Sequence, residues 1–144
     1  MAAVIRQMDK DDMDQVLDIW LRASIEAHAF IGEQFWRARL GDMRSVYLPA
    51  ATSCVFEREG APAGFYSVYG DALAALFVHP DIQGAGIGSL LLAHAKTGRH
   101  RLDLTVYSAN HAARRFYERH GFVAFDERPD AHTGHPEILM RWLA

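Results

Sequence analysis

The interpretation of this chain depends on one stretch, Leu76-Phe77-Val78-His79-Pro80-Asp81-Ile82-Gln83-Gly84-Ala85-Gly86-Ile87-Gly88-Ser89. A short apolar run ends at His79-Pro80, glycines recur from Gln83 to Gly88, and apolar residues at helical spacing follow. Because glycine has no Cβ, it lets backbone N–H groups approach an anion closely. A helix that starts directly after such a loop adds partial positive charge at its N-terminus. The stretch therefore predicts a buried strand, a loop that suits a diphosphate, and a helix.

The glycine loop alone leaves the nucleotide open. A P-loop would end in Gly-Lys-Ser/Thr, whereas Gly88 is followed by Ser89-Leu90. A dinucleotide-binding fingerprint would follow the first strand, with an acid about 20 residues further on. Asp103 lies at a tolerable distance, but three predicted strands and the N-terminal helices precede the strand that leads into the loop. A plain glycine-rich turn is the remaining alternative, and the loop by itself does not exclude it.

Composition sets broader bounds. The chain has 144 residues and a net charge of −3, without a basic stripe, so we expect one domain over residues 1–144 and no nucleic-acid partner. It shows neither a signal-peptide pattern nor an apolar run of about 20 residues, so we expect a cytoplasmic protein with no membrane partner. The single cysteine, Cys54, cannot form an intrachain disulfide. The eight histidines lack the spacing of common zinc motifs, so we expect no metal.

Apolar periodicity predicts alternating strands and helices. An amphipathic helix should start after Asp9 to Asp12 and break at Gly32, and a second should run from Glu33 to about Tyr47 and end before Pro49. Two later helices should follow the glycine loop and Asn110. Strands are expected at residues 3–8, Thr52 to Glu57, Gly64 to Tyr69, Leu73 to Val78, Arg101 to Tyr107, Phe122 to Phe125 and Ile138 to Leu143. This order predicts an α/β (α+β) fold with a mixed sheet of six to seven strands, flanked by about four helices.

Two separated motifs resemble one known family. Gln83 to Gly88 matches the pattern Q/R-x-x-G-x-G/A, and Asn110 to Phe122 matches N-x-x-A-x-x-F-Y-x-x-x-G-F. Both are patterns of the GCN5-related N-acetyltransferases (GNAT). The order of elements is similar nearly end to end, and His28-Ala29-Phe30 after the first helix is similar to the small single-domain bacterial enzymes of that family. The resemblance implies the GNAT fold and acetyl-CoA as the donor.

The resemblance also implies roles for individual residues. Backbone groups of Phe77 and Val78 would pair with the pantetheine arm. Asn110 would hydrogen-bond the cofactor near the pantetheine, and Tyr117 would lie beside the thioester sulfur. The pyrophosphate would be held by the amides of Gln83, Gly84, Ala85, Gly86, Ile87, Gly88 and Ser89.

Acetyl transfer to an amine needs a neutral nucleophile, a stabilised oxyanion and a proton for the leaving thiolate. The phenol of Tyr117 suits the last role, and the backbone N–H of Val78 could serve the oxyanion. Many relatives place an acidic base on the fourth strand, two residues before Leu76, but this chain has Ala74 there. His79 is the candidate base in its place.

The residues of the acceptor site lie outside the two motifs. His28, Phe30 and Asp71 are candidates to line the acceptor site, and Glu26 is a further pocket candidate. A packed or solvated polar residue is the alternative reading for each titratable candidate.

The motifs together predict an acetyl-CoA-dependent acyltransferase. The acceptor is a primary amine of a small molecule, a peptide or a protein lysine, and transfer is direct within a ternary complex, because Cys54 lies outside the motifs. The alternative is a non-catalytic module that binds acetyl-CoA or CoA as a sensor or regulator, which the missing acid at Ala74 keeps open. Many members of the family form dimers, so a homodimer is compatible with the sequence.

Overall fold

One seven-stranded sheet runs through the protein. The computed structural model describes residues 3–144, and its strands are β1 (Val4–Gln7), β2 (Thr52–Arg58), β3 (Ala61–Tyr69), β4 (Ala72–Val78), β5 (Arg101–Tyr107), β6 (Val123–Pro129) and β7 (Pro136–Leu143). The strand order is β1-β2-β3-β4-β5-β7-β6, with β4 and β5 parallel and all other neighbours antiparallel. The predicted mixed sheet is confirmed.

Four longer helices flank this sheet. They are α1 (Met13–Ala27), α2 (Glu33–Ala38), α5 (Ile87–Lys96) and α6 (His111–Arg119), and the short α3 (Leu40–Asp42) and α4 (Leu48–Ala50) lie on either side of a π-helical segment, Met43–Tyr47. Asp9 and Asp12 form a reciprocal capping box at the 3-10 turn that leads into α1, and Arg6 holds Asp12 with hydrogen bonds of 2.8 and 2.9 Å.

The second predicted helix is wrong in its extent. It is interrupted at Arg39, and Pro49 lies inside α4 and not beyond the helix end. Proline is tolerated in a first helical turn because the N–H that it lacks would have no partner there. The helical region between Gly32 and β2 is therefore a series of short segments.

Two hydrophobic clusters separate the faces of the sheet. On one face α1 and α2 cover Val55 and Phe65, both completely buried. On the other face α5 packs against the alternating side chains of β5, with Leu91 and Leu102 also completely buried. Alternate residues of each strand therefore face different helical layers.

The sheet opens between β4 and β5. Their parallel pairing is confined, in the described part of the chain, to Ala72 and Asp103. In β4 the register against β3 shifts so that Ser67 faces Ala75 and Val68 faces Leu73, which leaves Ala74 as the extra residue of a β-bulge. A bulge bends and twists a strand. The ends of β4 and β5 therefore diverge, and a split opens in the middle of the sheet.

Candidate active site

A groove lies beside the split, and we call it the donor groove. Its volume is about 470 Å³. It is bounded by the end of β4, the glycine loop, the first turn of α5 and one side of α6, with lining residues that include Leu76, Phe77, Val78, Gln83, Gly84, Gly86, Ile87, Gly88, Ser89, Asn110, Ala113, Phe116, Tyr117 and Arg119. Most residues predicted to bind the cofactor therefore share one surface.

The glycine loop has the backbone that its composition predicts. Gly84 and Gly86 have φ angles of 88° and 78°, which L side chains rarely adopt, and Gly86 is the N-cap of α5. Gly88 is already helical, and a Cβ there would lie 3.5 Å from the Phe116 ring, an ordinary contact. The Gln83 side chain donates to the Val78 carbonyl over 3.2 Å and fixes the loop against β4. The unpaired amides of the first α5 turn border the groove, as anion binding requires.

The hydrogen-bonding pattern of β4 decides which of Phe77 and Val78 has free backbone groups. The His79 amide donates to the Ala63 carbonyl over 2.8 Å, and Phe77 lies opposite Phe65 in the same register. Because bonded and open residues alternate along an antiparallel strand, the backbone groups of Phe77 face β3. Those of Val78 face the split. The expectation that Phe77 pairs with pantetheine through its backbone is therefore wrong, although its side chain lines the groove.

A second cavity of about 250 Å³ lies across the split, and we call it the acceptor pocket. Aromatic and small side chains form most of its wall, together with a single carboxylate from β7; its lining includes Trp20, His28, Trp36, Ala74, Ala75, Phe77, Thr105, Tyr107, Asn110, Tyr117 and Glu137. Leu76, Phe77, Asn110, Ala113 and Tyr117 line both cavities. The two cavities therefore meet at the split, with Tyr117 at their junction.

Tyr117 is held by aromatic packing. Its ring contacts Phe116 and Phe122 edge-on, with centroids 5.2 and 5.4 Å apart. Burial raises the pKa of the Tyr117 phenol above its ordinary value of 10. The hydroxyl therefore stays protonated at neutral pH and can donate a hydrogen bond to a group at the junction.

Asn110 lines both cavities and lies next to His28, which lines the acceptor pocket. The His28 ring lies beside Trp36, Tyr107 and Phe30, with centroid distances of 5.1, 5.2 and 5.9 Å. Burial lowers the pKa of His28 to about 4, so its imidazole is neutral at physiological pH. Its Nε2 lies 3.2 Å from Asn110 Nδ2, and Asn110 Oδ1 caps α6 by accepting from the Ala113 amide. Asn110 keeps one amide hydrogen that can reach a ligand.

Three residues predicted for the reaction or the acceptor site line neither cavity. Phe30 packs behind the pocket wall, against His28 and Tyr107, and the other two lie elsewhere. His79 faces the outer side of α1, where its ring is 2.9 Å from Arg22 Nη1 and 3.1 Å from the Asp81 amide, and it caps the turn Pro80–Ile82. Asp71 lies in the turn before β4, at the end of the strand away from Val78, which is about 20 Å distant at strand rise. Neither lines either cavity. The predictions of His79 as the base and Asp71 as an acceptor residue are therefore wrong.

Two charged residues that line the cavities were missed by the sequence motifs. Arg119, two positions after Tyr117, lines the donor groove and forms no ion pair within residues 3–144. It lies three positions after Phe116, on the same helix face, and that spacing was an available signal. Glu137 enters the acceptor pocket through its pairing with Tyr107 across β5 and β7, which no local pattern encodes.

Two further histidines have separate local partners. His94 Nδ1 lies 2.7 Å from the Tyr66 hydroxyl, and His120 bridges the Phe116 carbonyl and Ser89. Across residues 3–144, no three His, Cys, Asp or Glu side chains converge as metal ligands do. Over the same range, none of the helices combines the length and apolar character needed to cross a membrane.

The split sheet, the glycine loop and the two cavities define an acetyltransferase of the GNAT class. The acetyltransferase (GNAT) domain family matches residues 49–124, and the chain belongs to this family. The predicted family, fold and acyltransferase class are thereby confirmed.

Individual relatives extend this match over the whole chain. Peptidyl-lysine N-acetyltransferase YiaC of Escherichia coli is 33% identical over 140 residues, which covers 96% of both proteins. The solution structure of apo YjaB from Escherichia coli matches with a TM-score of 0.86 and 28% identity, over 99% of this chain and 98% of that one. An N-acetyltransferase, PaiA from Thermoplasma acidophilum in complex with coenzyme A, shares the fold with a TM-score of 0.80 and 17% identity over the full length of both chains.

Proposed function

We propose that this protein transfers the acetyl group of acetyl-CoA to the ε-amino group of lysine residues in peptides or proteins. The observation that carries the proposal is the convergence of the donor groove and the acceptor pocket at Tyr117. Similarity to peptidyl-lysine N-acetyltransferases, at 33% identity over nearly the full chain, supports the choice of acceptor. A lysine side chain is long and thin, as passage through an aromatic-lined pocket requires.

The donor groove supplies the contacts that acetyl-CoA needs. The amides from Gln83 to Ser89 would hold the pyrophosphate, with Gly84 and Gly86 keeping that surface free of side chains. The pantetheine would lie along the open backbone edge of β4 at Val78, as an added strand does. This path would bring the thioester to Tyr117.

The chemistry then follows from groups at the junction. The neutral amine attacks the thioester carbonyl carbon and a C–N bond forms. The C–S bond then breaks to release the CoA thiolate, and the attacking nitrogen loses its extra proton to solvent, which leaves the neutral amide. The Val78 N–H, on the open side of β4, would stabilise the developing oxyanion. Tyr117 would donate its hydroxyl hydrogen towards the leaving sulfur. Transfer is direct, because Cys54 lies on β2 and lines neither cavity.

The same proposal covers the setting of the reaction. Residues 1–144 would act as one N-acetyltransferase domain, since the sheet runs from Val4 to Leu143. A reducing cytoplasm is compatible with the free thiol of Cys54.

The test combines thiol release with mass spectrometry. The protein is incubated with acetyl-CoA and a panel of lysine peptides, matched peptides with acetylated lysines and blocked N-termini, and small amines. We expect CoA release coupled to a single acetyl group on the lysine side chain. Tight acetyl-CoA binding without thiol release on any acceptor would refute the proposal and favour a non-catalytic binding module.

A further inference from the structure

The acceptor pocket contains one carboxylate. Among the described residues that line it, Glu137 is the only acid, and Ala74 presents a methyl group at the bulge of β4. Glu137 lies opposite Tyr107 in the β5–β7 register, so both side chains project from the same face of the sheet. The Glu137 side chain is 15% exposed. A partly buried anion therefore stands in an otherwise neutral pocket.

The surroundings of Glu137 suit a cation. His28 is neutral because burial lowers its pKa to about 4, so no positive charge from that ring competes for the carboxylate. The rings of His28, Phe30, Trp36 and Tyr107 pack against one another, and Trp36 and Tyr107 line the cavity. Aromatic faces attract ammonium groups, and the attraction increases when the pair is shielded from water.

The present partner of Glu137 is exchangeable. Arg128 Nε lies 3.1 Å from Glu137 Oε1, but the Arg128 side chain is 56% exposed. Ion pairs with such an exposed partner contribute little to stability. A second carboxylate at the same edge, Asp130, is already occupied by the Tyr107 hydroxyl at 2.7 Å and by Thr133 at 2.9 Å. Glu137 is thus the carboxylate in the pocket that can change partners.

We infer that Glu137 is the specificity residue that receives the protonated amine of the acceptor, displacing Arg128 when substrate enters. This inference rests on the proposed function and assigns to β7 the recognition of a cationic alkylamine. Glu137 acts in binding, so its contribution is expected in KM. The amine must still lose its proton before it attacks the thioester, and that proton leaves to solvent.

The kinetic test compares a charged acceptor with a neutral one. E137Q keeps the shape of the side chain and removes its charge. The acceptors are a lysine peptide and the same peptide with an oxyamine in place of the terminal ammonium, which is uncharged at neutral pH. We expect E137Q to raise KM for the lysine peptide about tenfold, as loss of a hydrogen bond between charged groups predicts, with kcat little changed. KM for the oxyamine peptide should stay within about twofold.

R128Q is the matched control, because it removes the competitor and leaves the carboxylate. It should lower KM for the lysine peptide, so the two variants move KM in opposite directions. An unchanged KM in E137Q, or an equal rise for both acceptors, would overturn the role of Glu137.

A binding measurement separates this role from lysine acetylation itself. With CoA present, n-butylammonium and 1-butanol are titrated into the wild-type protein and E137Q, and chemical-shift changes are followed by NMR. We expect wild type to bind n-butylammonium in preference to 1-butanol and E137Q to lose that preference. A preference that persists in E137Q, or its absence in wild type, overturns the inference even if lysine peptides are acetylated. If the wild type shows the preference but acetylates no peptide, the proposed function fails and the role of Glu137 stands.

Discussion

The buried imidazole of His28 makes the stability of the protein depend on pH. His28 is 8% exposed, and its pKa falls from the ordinary 6.5 to about 4 in the folded state. The folded state therefore favours the neutral ring, and His28 binds a proton more strongly in the unfolded chain. The stability that results is fully present above pH 6.5 and is lost as the pH falls towards 4. The difference between those pKa values corresponds to about 3 kcal/mol.

Urea unfolding at several pH values between 4.5 and 7.5 measures this effect. The control is His28→Gln, which cannot take up a proton and can still accept from Asn110. Other groups titrate in both proteins, so the difference between their unfolding free energies isolates His28. We expect that difference to change by about 2.5 kcal/mol across the window, since the folded-state pKa lies just below it, with the wild type losing more stability on acidification. Parallel curves for the two proteins would show that His28 is not held neutral and would refute the reasoning.

Three further predictions concern the donor groove and its junction. Gly86→Ala should lower the free energy of unfolding by about 1–2 kcal/mol, because φ is 78° there, and should weaken acetyl-CoA binding. Gly88→Ala should leave both stability and acetyl-CoA affinity unchanged, and equal affinities for the two variants would contradict the anion-binding loop. If the Arg119 guanidinium contacts the 3′-phosphate, Arg119→Gln should weaken the affinity for CoA about tenfold and change the affinity for dephospho-CoA by no more than about twofold, both measured by calorimetry. Equal losses of affinity for the two ligands would place the guanidinium at the pyrophosphate instead. Tyr117→Phe should lower kcat about 100-fold or more with little change in acetyl-CoA affinity, and an unchanged kcat would remove the proton-donor role.

Much of the fold could be predicted because its elements have strong local patterns. Arg101–Tyr107 alternates apolar and polar residues, and its strand bounds were predicted without error. Asn110 caps α6 as predicted, and Gly121 adopts φ 89° beyond its end. The prediction of one helix in the region from Glu33 to Ala50 was wrong because this region contains a π-helical segment and a proline in a first helical turn. Apolar periodicity does not encode either feature.

In the candidate site too, residues in local motifs could be predicted and residues placed by tertiary structure could not. The glycine loop and Tyr117 lie in contiguous motifs, so the resemblance to the family implied that they share one groove. His79 has suitable chemistry, but its ring turns to the outer side of α1 and is held there by a local turn. Glu137 was missed because only the β5–β7 register, between residues 30 positions apart, brings it beside Tyr107. Residue type can nominate a catalytic group, but the direction of its side chain depends on the assembled sheet.

The split between β4 and β5 separates the donor groove from the acceptor pocket, and the sequence predicts the residues of the donor groove better than those of the acceptor pocket. In the proposed function the donor is held mainly by backbone groups. These need glycine at Gly84 and Gly86 and an open strand edge, which leaves a contiguous signature. The acceptor pocket collects side chains from α1, α2, β4, β5, α6 and β7, which lie far apart in the sequence and leave no contiguous signature. A carboxylate that faces the pocket can therefore come from β7 at Glu137 when position 74 is alanine. The acceptor specificity of such a protein can then change through strand positions distant in sequence while the donor groove stays the same.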